Sequence, residues 1–238
     1  MTKTSPDRPS RLLIKTIKLI PQPVINKILL TFPFLYGWKL VDYESCLSGD
    51  GRKELLNKLG DVLHLDGNVI ECGSARCGTT VIMANYLWTK ASHKLVYACD
   101  TFGGFDLNEL EREREAGLTY ASDKAFTYNS HDYVKRKIEK FGVSDLVITV
   151  KGLFKDTLPK MNSKFCFALI DCDLKDSIIF CTETIWQKLS HEGIMMFDDY
   201  GSDLYRGAKE AVDYLVDKYK NEISEHGIIK QLYYIRKR

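Results

Sequence analysis

The chain has 238 residues, 28% of them charged, with a formal net charge of +2. That length suits one large α/β domain with a decorated terminus, and the near-balance of charge lacks the concentrated basic face that nucleic-acid binding requires. No apolar run reaches the roughly 18 to 20 residues of a membrane-spanning helix, and no small-residue cleavage site follows a signal-like core.

Residues 1–42 read as an amino-terminal helical arm or cap. Within 11–40, Leu12, Leu13, Ile14, Ile17, Leu19 and Ile20 are interspersed with Lys15 and Lys18, and Pro21, Pro23 and Pro33 break the pattern. Because the apolar residues are not confined to one stripe, an arm that caps the domain or packs on a second subunit, hence a homodimer, is expected; an interfacial membrane helix making peripheral contact is the alternative. The main domain is expected over 43–238. After the polar turn Ser48-Gly49-Asp50-Gly51, a helix carrying Leu55, Leu56, Leu59, Val62 and Leu63 leads into the first strand. Strands are expected at 68–72, 94–99, 146–150, 165–170 and 193–197, each rich in β-branched or aromatic residues and separated by helical lengths. Such alternation predicts a parallel sheet covered by helices. A last helix carries Ala208, Ala211, Val212, Leu215, Val216 and Tyr219 on one face, and 231–236 closes the sheet as an edge strand. The charged run Asn108-Glu109-Leu110-Glu111-Arg112-Glu113-Arg114-Glu115 interrupts this rhythm, and the stretch 106–131 reads either as a lid-like insertion or as a solvated helix face. The seven cysteines form no CxxC pair and lie mostly in apolar surroundings, which suits reduced core residues in a cytoplasmic protein. Cys72 and Cys77, flanking a glycine loop, are either reactive thiols or small apolar packers.

That loop is the most informative segment. An apolar strand stops at Glu71 and continues as Cys72-Gly73-Ser74-Ala75-Arg76-Cys77-Gly78-Thr79-Thr80. A strand ending in an acid, a glycine turn and a helix start is how a doubly wound sheet presents a ligand at its carboxyl edge. Phosphate is disfavoured, since Glu71 at the mouth would repel it. Thr79 stands where a Walker A loop needs Lys, and Ala75 stands where the dinucleotide fingerprint needs its second glycine. S-adenosylmethionine, with an α-amino group, a sulfonium and no phosphate, suits this loop. The second strand ends at Asp100, where a carboxylate accepts ribose hydroxyls or caps the following turn.

Two further strands end in acids, Ile170-Asp171-Cys172-Asp173 and Phe197-Asp198-Asp199-Tyr200. Adjacent parallel strands would bring Asp171, Asp198 and Asp199 together, where like charges raise one another's pKa. A hard divalent ion such as Mg²⁺ resolves the repulsion, the absence of a Cys or His pattern arguing against softer metals; independent helix caps are the alternative.

The motifs Glu71-Cys-Gly-Ser-Ala-Arg76-Cys-Gly-Thr, Asp100-Thr-Phe-Gly-Gly, Lys151-Gly-Leu-Phe-Lys-Asp-Thr-Leu-Pro159, Asp171-Cys-Asp-Leu and Asp198-Asp-Tyr-Gly, with Leu189-Ser-His-Glu-Gly193 as a turn before the last, resemble the macrocin O-methyltransferase family over 66–219. The resemblance implies a class I methyltransferase (Rossmann-like) fold, a mostly parallel seven-stranded sheet with helices on both faces, using S-adenosylmethionine and Mg²⁺. It implies methylation of a hydroxyl on a sugar or natural-product glycoside, with a metal arrangement similar to that of catechol O-methyltransferases. Carried over by position, Asp171, Asp198 and Asp199 would bind metal. Glu71, Gly73 and Asp100 would bind cofactor, together with Ser74, Ala75, Arg76, Thr79, Thr101, Phe102, Gly152, Phe154 and Asp171. The chain departs from the family at Lys175, where a Tyr is usual. Lys175 is a candidate base beside the metal, or a surface partner of Asp176.

Methyl transfer is an in-line displacement that needs the acceptor oxygen about 3 Å from the methyl carbon, and the metal would lower the pKa of the hydroxyl. Asp171 or Lys175 is expected to take its proton. The competing readings are a catechol-like small-molecule O-methyltransferase, a nicotinamide-dependent oxidoreductase that uses Asp100 on a ribose, and a non-catalytic cofactor-binding module.

Overall fold

The computed structural model describes residues 43–238. The expected arm over 1–42, and with it the dimer and membrane-surface readings, lies outside the described residues. The elements in chain order are α1 (Gly49–Asp61), β1 (Asn68–Cys72), α2 (Gly78–Thr89), β2 (Val96–Asp100), α3 (Leu107–Glu115), α4 (His131–Lys140), β3 (Val147–Lys151), the short α5 (Phe154–Thr157), β4 (Phe165–Ile170), α6 (Lys175–Trp186), β5 (Leu189–Phe197), α7 (Arg206–Lys218), β6 (Ile223–Ile229) and β7 (Leu232–Lys237). They build one seven-stranded sheet in the order β3-β2-β1-β4-β5-β7-β6. Strands β1 to β5 are parallel, and β7 runs antiparallel to both β5 and β6.

Alternate residues of the central strands supply two cores, one per face of the sheet. Val69, Phe167, Leu169 and Met196 meet α1 and α2 through Leu55, Leu59, Met83 and Leu87. Ile70, Ala168, Ile170, Met195 and Phe197 meet α6 and α7 through Ile185, Trp186, Ala211 and Leu215. Every residue of β4 is buried, as a parallel strand covered on both faces requires, and its sequence is accordingly an unbroken apolar run. Six of the seven cysteines are buried in these layers and all are unpaired. No helix among the described residues is long and apolar enough to cross a membrane.

Two expectations are corrected. The last strand is not an edge: β7 lies between β5 and β6, and β6, which the sequence reading missed, closes the sheet. Its burial is low and irregular, so Ile223–Ile229 carries little of the alternation that marks a half-buried strand. Leu189 to Gly193 is not a turn but the start of β5. Glu192 takes the left-handed conformation there, and the β4–β5 register shifts opposite it, an irregularity that mimics turn chemistry in sequence.

Candidate active site

Because β1, β2, β4 and β5 run in parallel, their carboxyl ends share one edge of the sheet, and the loops leaving them continue the hydrogen-bonded ladder by one residue. Gly73 N–H donates to the Cys99 carbonyl at 2.9 Å, Asp171 N–H to Cys72 at 2.8 Å, and Asp198 N–H to Ile170 at 3.1 Å. These bonds set the glycine loop and the two acidic loops side by side. Gly73 has φ +91°, and a Cβ added there would lie 1.8 Å from the Asp171 carbonyl oxygen. Only glycine permits that approach.

Asp100 is oriented by the loop facing it. Its Oδ2 accepts from Ala75 N–H at 2.8 Å and its Oδ1 from Phe102 N–H at 2.6 Å. Burial pushes its carboxyl above the usual range, and these backbone donors oppose the shift. Asp171, Asp198 and Asp199 each place a carboxylate oxygen within 4.8 Å of the other two. Among the described residues no lysine or arginine forms an ion pair with any of the three. Burial, then the neighbouring Asp198 and Asp199, hold the Asp171 carboxyl well above its ordinary value. Burial and Asp198 raise Asp199 to about 6. Burial also raises Asp198, against the pull of Gln231, whose amide donates to its Oδ1 at 3.2 Å. Asp173 and Asp199 both adopt positive φ, 63° and 60°, conformations that aspartate tolerates better than most residues. Three converging hard oxygen donors with no protein counter-charge fit a divalent cation of the Mg²⁺ type.

The cavity over this edge has a volume of about 610 Å³. Of the residues expected from sequence, Gly73, Ala75, Asp100, Thr101, Phe154, Asp171, Asp198 and Asp199 line it together. The others lie elsewhere. Glu71 lies beneath the lining: it is 1% exposed and accepts the Thr80 hydroxyl, tying the end of β1 to α2. Burial raises its pKa to about 8, the Thr80 hydroxyl opposing the shift and Asp100 adding to it, and its side chain does not stand at the loop mouth. Ser74 Oγ donates to the Glu71 carbonyl at 3.2 Å. Arg76 pairs with Glu44 and lies over the Tyr128 ring at 4.5 Å. Thr79 shares a hydroxyl hydrogen bond with Ser45 at 2.9 Å. Phe102 is buried against His131 at 4.9 Å between ring centroids, and Gly152 N–H donates to the Asp100 carbonyl at 3.0 Å. Lys175 turns outward, its Nζ 2.7 Å from Glu210 Oε2; Asp176 pairs instead with Arg112 at 3.1 Å. Lys175 is not among the residues that line the cavity. Cys72 and Cys77 are fully buried, and burial pushes the Cys77 thiol up, which leaves it a packer rather than a nucleophile.

Sequence reasoning passed over several lining residues: Asp173, Cys46, Gln231, Phe105, Phe126, Tyr205 and the α3 residues Glu109 and Arg112. Asp173 was legible in the Asp-x-Asp pair. Glu109 and Glu113 stand four apart in the charged run, a spacing that puts them on one helix face. Gln231 carries no such signal, since its place depends on the β6–β7 hairpin.

The family model for macrocin-O-methyltransferase (TylF) matches residues 49–235. A curated relative, the 8-demethyl-8-(2,3-dimethoxy-alpha-L-rhamnosyl)-tetracenomycin-C 4'-O-methyltransferase of Streptomyces olivaceus, is 27% identical over 154 residues, covering 60% of this chain and 56% of the relative. The chain thus spans little more than half the length of that relative. Among solved structures, the O-methyltransferase NovP superposes with a TM-score of 0.69 at 18% identity, covering 95% of this chain and 98% of that one. An O-methyltransferase from Bacillus cereus, solved in complex with SAH, gives 0.55 at 15% identity, covering 95% and 97%. Those likenesses establish the class I methyltransferase fold, and with the family match over most of its length the chain belongs to the macrocin O-methyltransferase family.

Proposed function

We propose that the protein is an S-adenosylmethionine-dependent, Mg²⁺-dependent O-methyltransferase that methylates a hydroxyl of a sugar or natural-product glycoside. The observation that carries the reading is the convergence of Asp171, Asp198 and Asp199 in the same cavity as Gly73 and Asp100. S-adenosylmethionine supplies an electrophilic methyl group on a sulfonium. The Gly73 loop, which packs directly on the Asp171 backbone, and Asp100, fixed by two backbone donors with lone pairs to spare, would hold it. Asp171, Asp198 and Asp199 would hold the dication, whose chemistry is to lower the pKa of an acceptor hydroxyl. Asp171, at the same rim, would take the hydroxyl proton on a carboxylate oxygen.

The rest of the cavity favours an uncharged acceptor. Its two described cations are already engaged, Arg112 with Asp176 at 3.1 Å and Lys155 with Asp106 at 3.5 Å, while Phe105, Phe126, Phe180, Leu204 and Tyr205 form apolar wall against which the carbon face of a glycoside packs. The Streptomyces olivaceus relative is named for methylating a rhamnosyl group, and a calicheamicin methyltransferase shares the fold with a TM-score of 0.57 at 18% identity, covering 97% of this chain and 94% of that one. A reducing, cytoplasmic setting suits the unpaired cysteines. Incubation of the full chain with methyl-labelled S-adenosylmethionine and a panel of neutral sugars, glycosides and catechols tests the proposal. Labelled product on a sugar hydroxyl, lost with EDTA and regained with Mg²⁺, is expected. Transfer that resists the chelator would remove the metal from the scheme, and labelling of catechols alone would move the acceptor class.

A further inference from the structure

Helix α6 begins directly after the Asp171-Cys172-Asp173-Leu174 loop, yet it has no cap of its own: its N-cap residue is Leu174, whose side chain accepts no hydrogen bond. A helix start leaves several N–H groups without intrahelical partners, and a buried one must find them elsewhere. Here they are supplied from another element. Glu109 Oε1 accepts from Ser177 N–H at 2.7 Å and its Oε2 accepts from the Ser177 hydroxyl at 2.7 Å. Glu113, one turn further along α3, accepts from Lys175 N–H through Oε1. Both carboxylates are buried, at 7% and 5% exposure. Leu110, between them, packs with Ala121, Leu174 and Tyr205. On the far side Gly207, at the start of α7, leaves room for the latch, since a Cβ there would lie 2.9 Å from Glu113 Oε2.

From this geometry we infer that Glu109 and Glu113 are positioning residues: capping α6 from the insertion helix, they hold the Asp171–Asp173 loop in the register that gathers the metal-binding carboxylates. The inference rests on the reading of those carboxylates as a metal seat. It gives the insertion a definite task as a fixed wall fastened to α6. It also explains why two acids four residues apart are buried, with Leu110, on a helix whose other residues are mostly exposed. Carboxyl oxygens aimed at the first turn of α6 satisfy N–H donors that would otherwise be buried without partners. A loop that enters a helix shares that helix's rotation, so freeing the first turn of α6 frees Asp171 and Asp173 as well. Outer residues that orient metal ligands carry effects of about 10- to 100-fold on affinity or activity.

The test uses the full chain with Glu109→Leu and Glu113→Leu, which remove the caps, and Glu109→Gln and Glu113→Gln, which keep an acceptor oxygen. Mg²⁺ and S-adenosylhomocysteine affinities are measured by calorimetry, and kcat and acceptor KM with labelled cofactor. The Leu variants should bind Mg²⁺ about 10-fold or more weakly and lose kcat in step. S-adenosylhomocysteine affinity and acceptor KM should hold within about 3-fold, because Gly73 is held by the Cys99 carbonyl and Asp100 by the Ala75 and Phe102 N–H groups rather than by the first turn of α6, and the Gln variants should recover most of the loss. Leu variants with wild-type Mg²⁺ affinity would overturn the inference, as would parallel loss of metal and S-adenosylhomocysteine binding, the sign of general destabilisation. Where a Leu variant does not fold, Glu109→Asp, one methylene short of Ser177, is expected to show the same selective loss, and normal Mg²⁺ binding by it would count against the latch. Failure of the wild-type chain to bind Mg²⁺ would instead strike at the proposed function itself.

Discussion

Replacing Glu113 by Gln should stabilise the protein, and more so as the pH rises. Glu113 Oε1 takes the Lys175 N–H, but Oε2 is buried with no hydrogen-bond partner among the described residues. Burial lifts its pKa from 4.5 to about 7; the Lys175 N–H opposes the shift, Glu109 and Asp176 add to it, and the Lys175 side chain pulls the other way while paired with Glu210. The folded-state value lies above the unfolded one, so the folded chain holds the proton more tightly. The favourable contribution is whole below the unfolded pKa and is lost as pH rises through the folded pKa. Integrated from the two values, the penalty for ionised Glu113 grows by about 2 kcal/mol between about pH 5.5 and about pH 8.5 and levels near 3 kcal/mol. Glutamine keeps the accepted N–H and carries no titrating proton, so its advantage should widen by the same amount, roughly 4–8 °C in Tm for a domain of this size. Thermal melts of both proteins across that range read the difference directly, because every other titrating group is common to the pair. Parallel curves, or a Gln variant that loses ground as pH rises, would refute the reasoning.

Asp198→Asn should lower turnover by about 100-fold while leaving S-adenosylhomocysteine affinity within about 3-fold, as kinetics and calorimetry on the same preparation would show. Gly73→Ala forces a Cβ to within 1.8 Å of the Asp171 carbonyl at a positive φ, and urea unfolding should record a loss of about 2–4 kcal/mol, overpacking and backbone strain adding. Lys175→Ala should change kcat less than about 3-fold and stability by no more than about 1 kcal/mol, the worth of a half-exposed ion pair; a collapse of activity with an altered pH profile would restore Lys175 as the base.

The sheet was legible because buried parallel strands leave a local signature. Phe165 to Ile170 is apolar on both faces, and Val69-Ile70 serves two opposite cores. The acidic edge was legible for a related reason: strands that end in carboxylates at a shared edge must converge wherever the order β1-β4-β5 holds. What sequence could not give was direction. Glu71 sits at the right place in the chain, but its side chain turns into the core toward Thr80, a choice made by the packing of α2 on β1. Lys175 and Asp176 are neighbours in sequence, yet helical geometry sends one to Glu210 and the other to Arg112. The charged run of α3 reads as a solvated surface because Glu109 and Glu113 look like its other acids, and only the uncapped start of α6 reveals why those two are buried.

Titration of the full chain with Mg²⁺ by calorimetry, repeated on Asp171→Asn, addresses the acid cluster most directly. Saturable binding of one ion per chain, weakened at least about 10-fold by the substitution, is the expected result. No saturable binding, or an affinity indifferent to Asp171, would contradict the assignment of these three carboxylates to a metal.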